Sequence, residues 1–380
     1  MTRIRIFGLY LLSILLAGSL FAAKTLDIYF IDADLGNAVM VVTPAGQAMM
    51  LDTGQVGEKY VNRILEAMKV AGVKQLDYVV VSHYHWDHYG TVSELAKKVP
   101  ILHFVDHGPN VDLNRDAAHN EKYGGNGSDP QYEEYAKTIA DRHIVAKPGD
   151  KIPLKGVDVT IVTSAGDQIL EPLPGGGKPN SACAITHPRV DDDSEDGQSV
   201  GRVVTYGKFR YADLGDLTWN KSFHLFCPTN LVGTVDAYLI THHGDSHELK
   251  DSTIWNWGRS SAPPAEVLAL HPRVAFLSAN EDYIGRTSDD STAWQVTKHS
   301  PGLEDIWQTH YATQGGKRSN SPEQFVANMH TVGDKGCYIK LSASPDGSFT
   351  VTNSRNGFTK KYPARSAAKQ QTTPQAGKGE

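Results

Sequence analysis

The segment VVVSHYHWDHYG at residues 79–90 constrains this chain more than any other stretch. An apolar, β-branched run ends at Ser82, and the next six positions carry His83, His85, Asp87 and His88. Such a run bounded by a polar turn is a buried strand. Imidazoles at i and i+2 of the turn leaving it can converge on one cation, with Asp87 and His88 directed toward a second position nearby. Two later strand ends add donors. In FRYADLGDLTW an apolar strand stops at a Gly and Asp216, a carboxylate able to bridge two cations. In DAYLITHHGD a strand stops at His242 and His243; one completes the second metal's shell, with His242 slightly preferred, and the other is a hydrogen-bonding or substrate-contacting group. Imidazole and carboxylate donors suit two divalent ions, Zn first, with Mn or Fe as alternatives.

The rest of the chain supplies a scaffold for such turns. LDIYFID (26–32), NAVMVVTP (37–44) and QAMMLDTG (47–54) read as consecutive strands punctuated by Gly, Pro and Asp. Val61, Ile64, Leu65 and Met68 fall at helical spacing with Gly72 as the stop, and TVSELAKKVP reads as a helix opened by a Thr91–Glu94 capping box and ended by Pro100. Further strands follow in GRVVTYG, KFRYADLGD, TVDAYLITHHG, PRVAFLSAN, GCYIKLSA and SFTVTNS. Strands followed by alternating helix and strand imply a mixed α/β sheet covered by helices. Between about 107 and 150 the chain turns polar and Gly-rich, with one amphipathic piece, YEEYAKTIADRH; this reads as an insertion forming a lid or a solvated loop. The acidic VDDDSEDGQ (190–198) reads as a solvated face, with a metal site as the alternative, and the tail 361–380 as disordered.

Arg3 and Arg5 precede an apolar segment with small residues toward Ala22 and Ala23, the layout of a signal peptide over residues 1–23; an uncleaved membrane anchor is the alternative. The expected protein is thus exported, without stable membrane insertion once the signal is removed. The net charge of -6 gives no global basic field, so nucleic acid is not the favoured partner. Three widely spaced cysteines, Cys183, Cys227 and Cys337, exclude a thiolate zinc cluster and permit at most one internal disulfide.

Taken together, FIDADLGNAVMVV, MMLDTG, HYHWDH, EDGQSV, LGD and THHG resemble the metallo-beta-lactamase superfamily. Their order is similar to the subgroup around the metallo-hydrolase domain of the competence protein ComEC and choline-phosphate esterases. The resemblance covers roughly residues 26–310. It implies an αββα four-layer sandwich over residues 24–360, interrupted by the loop-rich insertion, with two metals at one edge. Carried over by position, His83 and His85 would bind the first metal, Asp87 and His88 with His242 or His243 the second, and Asp216 would bridge. Asp52 of LDTG would orient a ligand through hydrogen bonds.

Departures also stand in the sequence. Members with a complete first site have another His before the bridging Asp; here EDGQSVGRVV carries Ser199 and no His. His187 of ITHP is the only nearby substitute and reads as a surface residue. His107 reads equally as a group near the cleft or a structural His. Tyr84 and Trp86 either line the mouth or pack under the turn.

The expected chemistry is hydrolysis by a water acidified between two divalent metals, with Asp87 and Asp216 at the reacting centre. A phosphoric (di)ester or other small molecule is the expected substrate. Hydrolysis of a lactone, beta-lactam or thioester is the alternative, and a non-catalytic binding protein the third. The sequence indicates no protein partner.

Overall fold

Residues 24–114, 130–189, 191–244, 260–278, 292–312, 320–330, 333 and 335–365 are described by a computed structural model. The expected signal segment and residues 366–380 of the expected tail lie outside the described residues.

Two large sheets face one another. The first contains β1 (Leu26–Phe30), β2 (Val39–Val42), β3 (Ala48–Leu51), β4 (Leu76–Val80), β5 (Ile101–Asp106) and β6 (His143–Val145). The second begins with β7 (Lys151–Ile152) and β8 (Asp158–Ser164), to which the short β9 (Asp167–Gln168) pairs. A minor ribbon joins β10 (Lys178–Pro179) to a later strand. The second sheet continues with β11 (Gly201–Tyr206) and β12 (Phe209–Asp213). Then come β13 (Thr229–Asn230), which is the ribbon partner, β14 (Ala237–Leu239), β15 (Val274–Leu277), β16 (Asp305–His310) and β17 (Val326–Asn328). Finally β18 (Ile339–Ala343), β19 (Phe349–Asn353) and β20 (Thr359–Tyr362) return to the first sheet.

The strand orders are β20-β19-β18-β1-β2-β3-β4-β5-β6 and β17-β16-β15-β14-β12-β11-β8-β7. Pairing is antiparallel from β20 to β3 and parallel from β3 to β6. In the second sheet it is parallel from β12 through β17 and antiparallel from β12 back to β7.

Strand alternation explains the layering. In β1, Ile28 and Phe30 point between the sheets, where the Phe30 ring stacks on Phe276 of β15 at 3.8 Å. Tyr29 and Ile31 point outward, into a second core built with α1 (Glu58–Ala71), α3 (Val92–Ala96) and α4 (Pro130–Ile139). The short α2 (Trp86–Tyr89) carries part of the His/Asp turn. On the far side, Ala212, Tyr238 and Ala275 pack under α5 (Trp219–Phe226), α6 (Pro264–Leu270) and α7 (Thr292–Lys298). Each sheet therefore buries both faces, which is why β4 and β15 are buried throughout. This is the expected αββα sandwich.

Helix α1 follows its sequence pattern: Val61, Ile64 and Met68 are buried and Gly72 closes it in a left-handed conformation, φ 71°. The expected capping box at α3 does not form. Thr91 Oγ1 instead donates to Thr53 O at 2.7 Å, and Glu94 pairs with Lys97, because a tertiary acceptor outcompetes the helix's own N–H groups.

The described parts of the expected 107–150 insertion are neither lid nor solvated loop. Tyr135 and Ile139 of α4 are buried against the first sheet, and β6 extends that sheet. Residues 115–129 lie outside the described residues. The tail boundary also shifts. β20 runs to Tyr362, whose hydroxyl donates to Asp305, and Arg365 pairs with Asp236 at 3.1 Å. Cys183 and Cys227 form a disulfide joining the turn at Ser181–Ile185 to the end of α5, and Cys337 is a half-buried thiol.

Candidate metal centre

Three polar segments meet where strands from both sheets end. The turn after β4 brings His83, His85, Asp87 and His88; the turn after β12 brings Asp216; the turn after β14 brings His242 and His243. Two close backbone approaches make the meeting feasible. Gly36 has φ 95°, and a Cβ there would lie 1.8 Å from Asp87 O. Gly215, φ 61°, lies against Ser82, where a Cβ would come within 2.8 Å of the serine Cβ. Asp52, His242 and His243 also hold left-handed backbone, at φ 56°, 55° and 52°. Non-glycine residues adopt this region at a cost of about 1–3 kcal/mol each and do so mainly where function needs them.

The side chains form two donor groups sharing Asp216. His83 Nε2 and His85 Nδ1 stand 2.9 Å apart, with Asp216 Oδ2 3.9 Å from His83 Nε2. In the other group, His88 Nε2 lies 3.2 Å from His243 Nε2. Asp216 Oδ2 is 3.2 Å from His88 Nε2 and 3.5 Å from His243 Nε2, while Asp87 Oδ2 is 3.8 and 3.7 Å from the same two atoms. The side chains group differently from the slight preference for His242. His243 groups with Asp87 and His88, whereas His242 groups with Asp196 and Asp216, its Nε2 3.4 Å from Asp216 Oδ2. Sequence could not separate neighbouring imidazoles because the left-handed turn at both residues decides their directions.

Hydrogen bonds set the imidazole tautomers. Ser82 Oγ donates to Asp52 Oδ2 at 2.8 Å, so toward His83 Nδ1, 3.0 Å away, it can only accept. His88 Nδ1 faces Asp52 Oδ2 at 2.9 Å, and His243 Nδ1 donates to Ser278 O at 2.9 Å. In each ring the Nδ1 proton is engaged, which leaves Nε2 directed into the centre with its lone pair. Asp52 thus lies against His88 Nδ1 and Ser82 Oγ and also accepts from the Ser82 N–H at 2.6 Å.

Electrostatics show what this arrangement demands. Burial, with neighbouring His88 and His85, pushes His83 well below its ordinary value. Burial acts the same way on His88, but Asp216, Asp87 and Asp52 outweigh it and raise that imidazole well above normal. For Asp216, burial is outweighed by His88, His242 and His243, which hold it well below the usual carboxylate range. Two Nε2 lone pairs at 3.2 Å repel unless a proton or metal cation lies between them. Asp216 Oδ1 is also buried with no hydrogen-bond partner among the described residues. The donor set therefore fits divalent cations.

The acidic run departs from its expected solvated role. Asp192, Ser194, Glu195 and Asp196 are buried, and Asp196 Oδ1 lies 2.8 Å from His85 Nδ1 and 3.4 Å from His83 Nε2. Charge density alone does not separate a buried acidic run from a solvated one. A usable signal is the position of EDGQSV, which aligns with the place where the resembled family carries its further His. Ser199 itself binds backbone, its Oγ accepting from Asp216 N at 3.1 Å.

His187 is exposed and outside the donor groups, while its carbonyl accepts from Trp219 Nε1. His107 is buried against Glu195, Nε2 to Oε2 2.9 Å, resolving its two readings toward structure. Tyr84 packs under the turn with its hydroxyl on Gly108 O, whereas Trp86 is 49% exposed.

Residues 31–186 match the model of the metallo-beta-lactamase superfamily. The match includes the HYHWDH turn and Asp52 but ends before Asp196, Asp216, His242 and His243, so the later donors rest on the geometry above. The chain is also similar to the metallo-beta-lactamase fold protein YhfI from Bacillus subtilis, at 11% identity and TM-score 0.41, over 75% of this chain and 96% of that one. Similarity to CmlA, a diiron beta-hydroxylase from Streptomyces venezuelae, has 12% identity and TM-score 0.45, over 74% of this chain and 52% of that one. A metallo-beta-lactamase from Cronobacter sakazakii aligns at 14% identity and TM-score 0.30, over 50% of this chain and 61% of that one. No curated protein matches the chain. Metallo-beta-lactamase folds bind divalent metals, in keeping with the His and Asp groups assembled here.

Proposed function

We propose that the chain is a metal-dependent hydrolase whose binuclear centre is held by His83 and His85 on one side, Asp87, His88 and His243 on the other, and Asp216 between them. The observation that carries this reading is Asp216 Oδ2 lying within 3.9 Å of His83 Nε2, 3.2 Å of His88 Nε2 and 3.5 Å of His243 Nε2, with imidazole tautomers set for ligation. Bound divalent ions supply a water of near-neutral pKa and a Lewis acid for the electrophile's oxygen. The chain's own contribution is to orient the donors, through Asp52, Ser82 and Ser278, and to exclude bulk water from them. His242, anchored by Ser261 Oγ at 3.0 Å, presents Nε2 beside Asp216 and is suited to carry a proton to a leaving group.

A small phosphoric ester is the substrate class we favour, supported by the motif order and by the carboxylate-rich centre. The net charge of -6 and the rim residue Asp112, whose Oδ2 is 3.8 Å from His85 Nε2, oppose a long polyanion. Export is part of the proposal: the N-terminal pattern and the Cys183–Cys227 disulfide both suit an oxidising compartment. Among the described residues no helix is long and apolar enough to cross a membrane.

The test is metal content by elemental mass spectrometry, followed by assays on bis(p-nitrophenyl) phosphate, nitrocefin and an acyl-lactone. About two metals and turnover of the phosphodiester are expected. Turnover of only the lactam or lactone would transfer the proposal to carbonyl hydrolysis, and metal without turnover of any to a binding role.

A further inference from the structure

We propose that Asp196 is the third protein ligand of the first cation, standing where a histidine would complete an all-imidazole set. This rests on the binuclear reading above and extends it to a residue outside the superfamily match. His85 decides between ligand and mere hydrogen-bond acceptor. Its Nε2 faces the rim, 3.8 Å from Asp112 Oδ2, while its Nδ1 faces inward, 2.9 Å from His83 Nε2. The inward atom is therefore the donor, and a ligating Nδ1 has no proton to give Asp196.

The three inward atoms, His83 Nε2, His85 Nδ1 and Asp196 Oδ1, are separated by 2.9, 2.8 and 3.4 Å. Ligands about 2.0–2.2 Å from one ion lie about 3.0 Å apart at octahedral and about 3.4 Å apart at tetrahedral angles. The triangle has the size of one face of a coordination shell. Asp216, whose Oδ1 is buried and lacks a hydrogen-bond partner among the described residues, groups with Asp196 and His242 within 4.8 Å. Two buried carboxylates so close repel unless a cation lies between them.

Glu195 holds the ligand in place. Its Oε2 accepts from Tyr84 N at 3.0 Å and faces His107 Nε2 at 2.9 Å, and its Oε1 accepts from Val111 N at 2.7 Å. That clamp fixes the 3-10 turn Asp196–Gln198 against the strand end that presents His83. Exchanging imidazole for carboxylate adds one negative charge and a harder donor, which moves the first position's preference from Zn toward Mn or Fe.

The experiment loads chelator-stripped full chain with equimolar Mn and Zn and measures bound metals in the wild type and in Asp196→Asn, Asp196→Ala and Asp196→His. Thermal melting serves as the folding control. Ligation by Asp196 predicts that Asn, which keeps the acceptor oxygen and loses the charge, drops from about two metals to about one, like Ala. Asp196→His regains two with a higher Zn:Mn ratio. If Asp196→Asn holds both metals at wild-type affinity, Asp196 is only an acceptor and the inference fails while the binuclear reading stands. Wild type holding no metal would overturn the reading itself. Should Asn and Ala fail to melt cooperatively, the Zn:Mn ratio of Asp196→His decides: unchanged from wild type, it overturns the assignment.

Discussion

At the scale of single residues, the proposed centre depends on groups that hold its donors from behind. Asp52 is fully buried, accepts from Ser82 N and faces His88 Nδ1, so Asp52→Asn should free the His88 ring to adopt the wrong tautomer. Metal affinity is expected to fall about 10- to 100-fold, measurable by chelator competition, without loss of the fold. His243→Ala is expected to remove one metal per chain, whereas His242→Ala keeps both and lowers kcat; equal metal loss in both variants would contradict the geometry. That His83, His85 and His88 come together was legible because they leave one strand end within six residues. The choice between His242 and His243 was not, since two successive left-handed residues follow no periodic rule. For Asp196 the reason is different: a carboxylate within VDDDSEDGQ has the same sequence signature whether it is solvated or buried, so the sequence leaves a solvated face and a metal site both open.

Elements place these residues, and here backbone proximity matters more than side-chain identity. The loop between β1 and β2 passes directly under Asp87, with Asn37 N donating to Asp87 O at 3.3 Å. Gly36→Ala would thrust a Cβ into that carbonyl from a left-handed backbone, and a destabilisation of about 3 kcal/mol with loss of the second metal is expected from urea unfolding and metal analysis. The Cys183–Cys227 link closes a loop of sequence separation 44 beside α5. Cys183→Ser is expected to cost up to about 4 kcal/mol in the chain-entropy account, with native metal content at low temperature because neither cysteine touches a donor. β4 and the amphipathic α1 were legible from their hydrophobic pattern. β16, DIWQTH, was missed because its polar residues are buried: Gln308 Nε2 donates to Asn320 Oδ1, and His310 faces Asp32. Tertiary partners made that strand viable, and those partners are far away in sequence.

Across the whole molecule the two sheets are joined by charge as well as by the apolar core. His310 at the end of β16 faces Asp32 Oδ1 at 2.8 Å and Asp34 Oδ1 at 3.2 Å, both in the loop after β1 on the opposite sheet. Arg63 and Lys59 of α1 supply further positive charge at 2.8 Å from Asp32 and Asp34, and the Tyr60 hydroxyl donates to Asp34. Three cations around two carboxylates make this an ion-pair network and leave no need for a metal. Burial disfavours charge on His310, yet its hydrogen bonds to Asp32 and Asp34 outweigh burial and raise its pKa to about 9. An unfolded histidine titrates near 6.5, so protonation favours the folded state. The stabilisation is fully present below about pH 6.5, shrinks as pH rises, and is gone above about pH 9; the shift corresponds to about 3 kcal/mol. His310→Gln keeps a hydrogen-bonding side chain without the titration. Urea midpoints at pH 6, 8 and 10 should therefore show a wide gap between wild type and variant at pH 6 and a narrow one at pH 10. A gap independent of pH would mean that His310 is neutral in the folded protein and that packing alone joins the sheets at this edge.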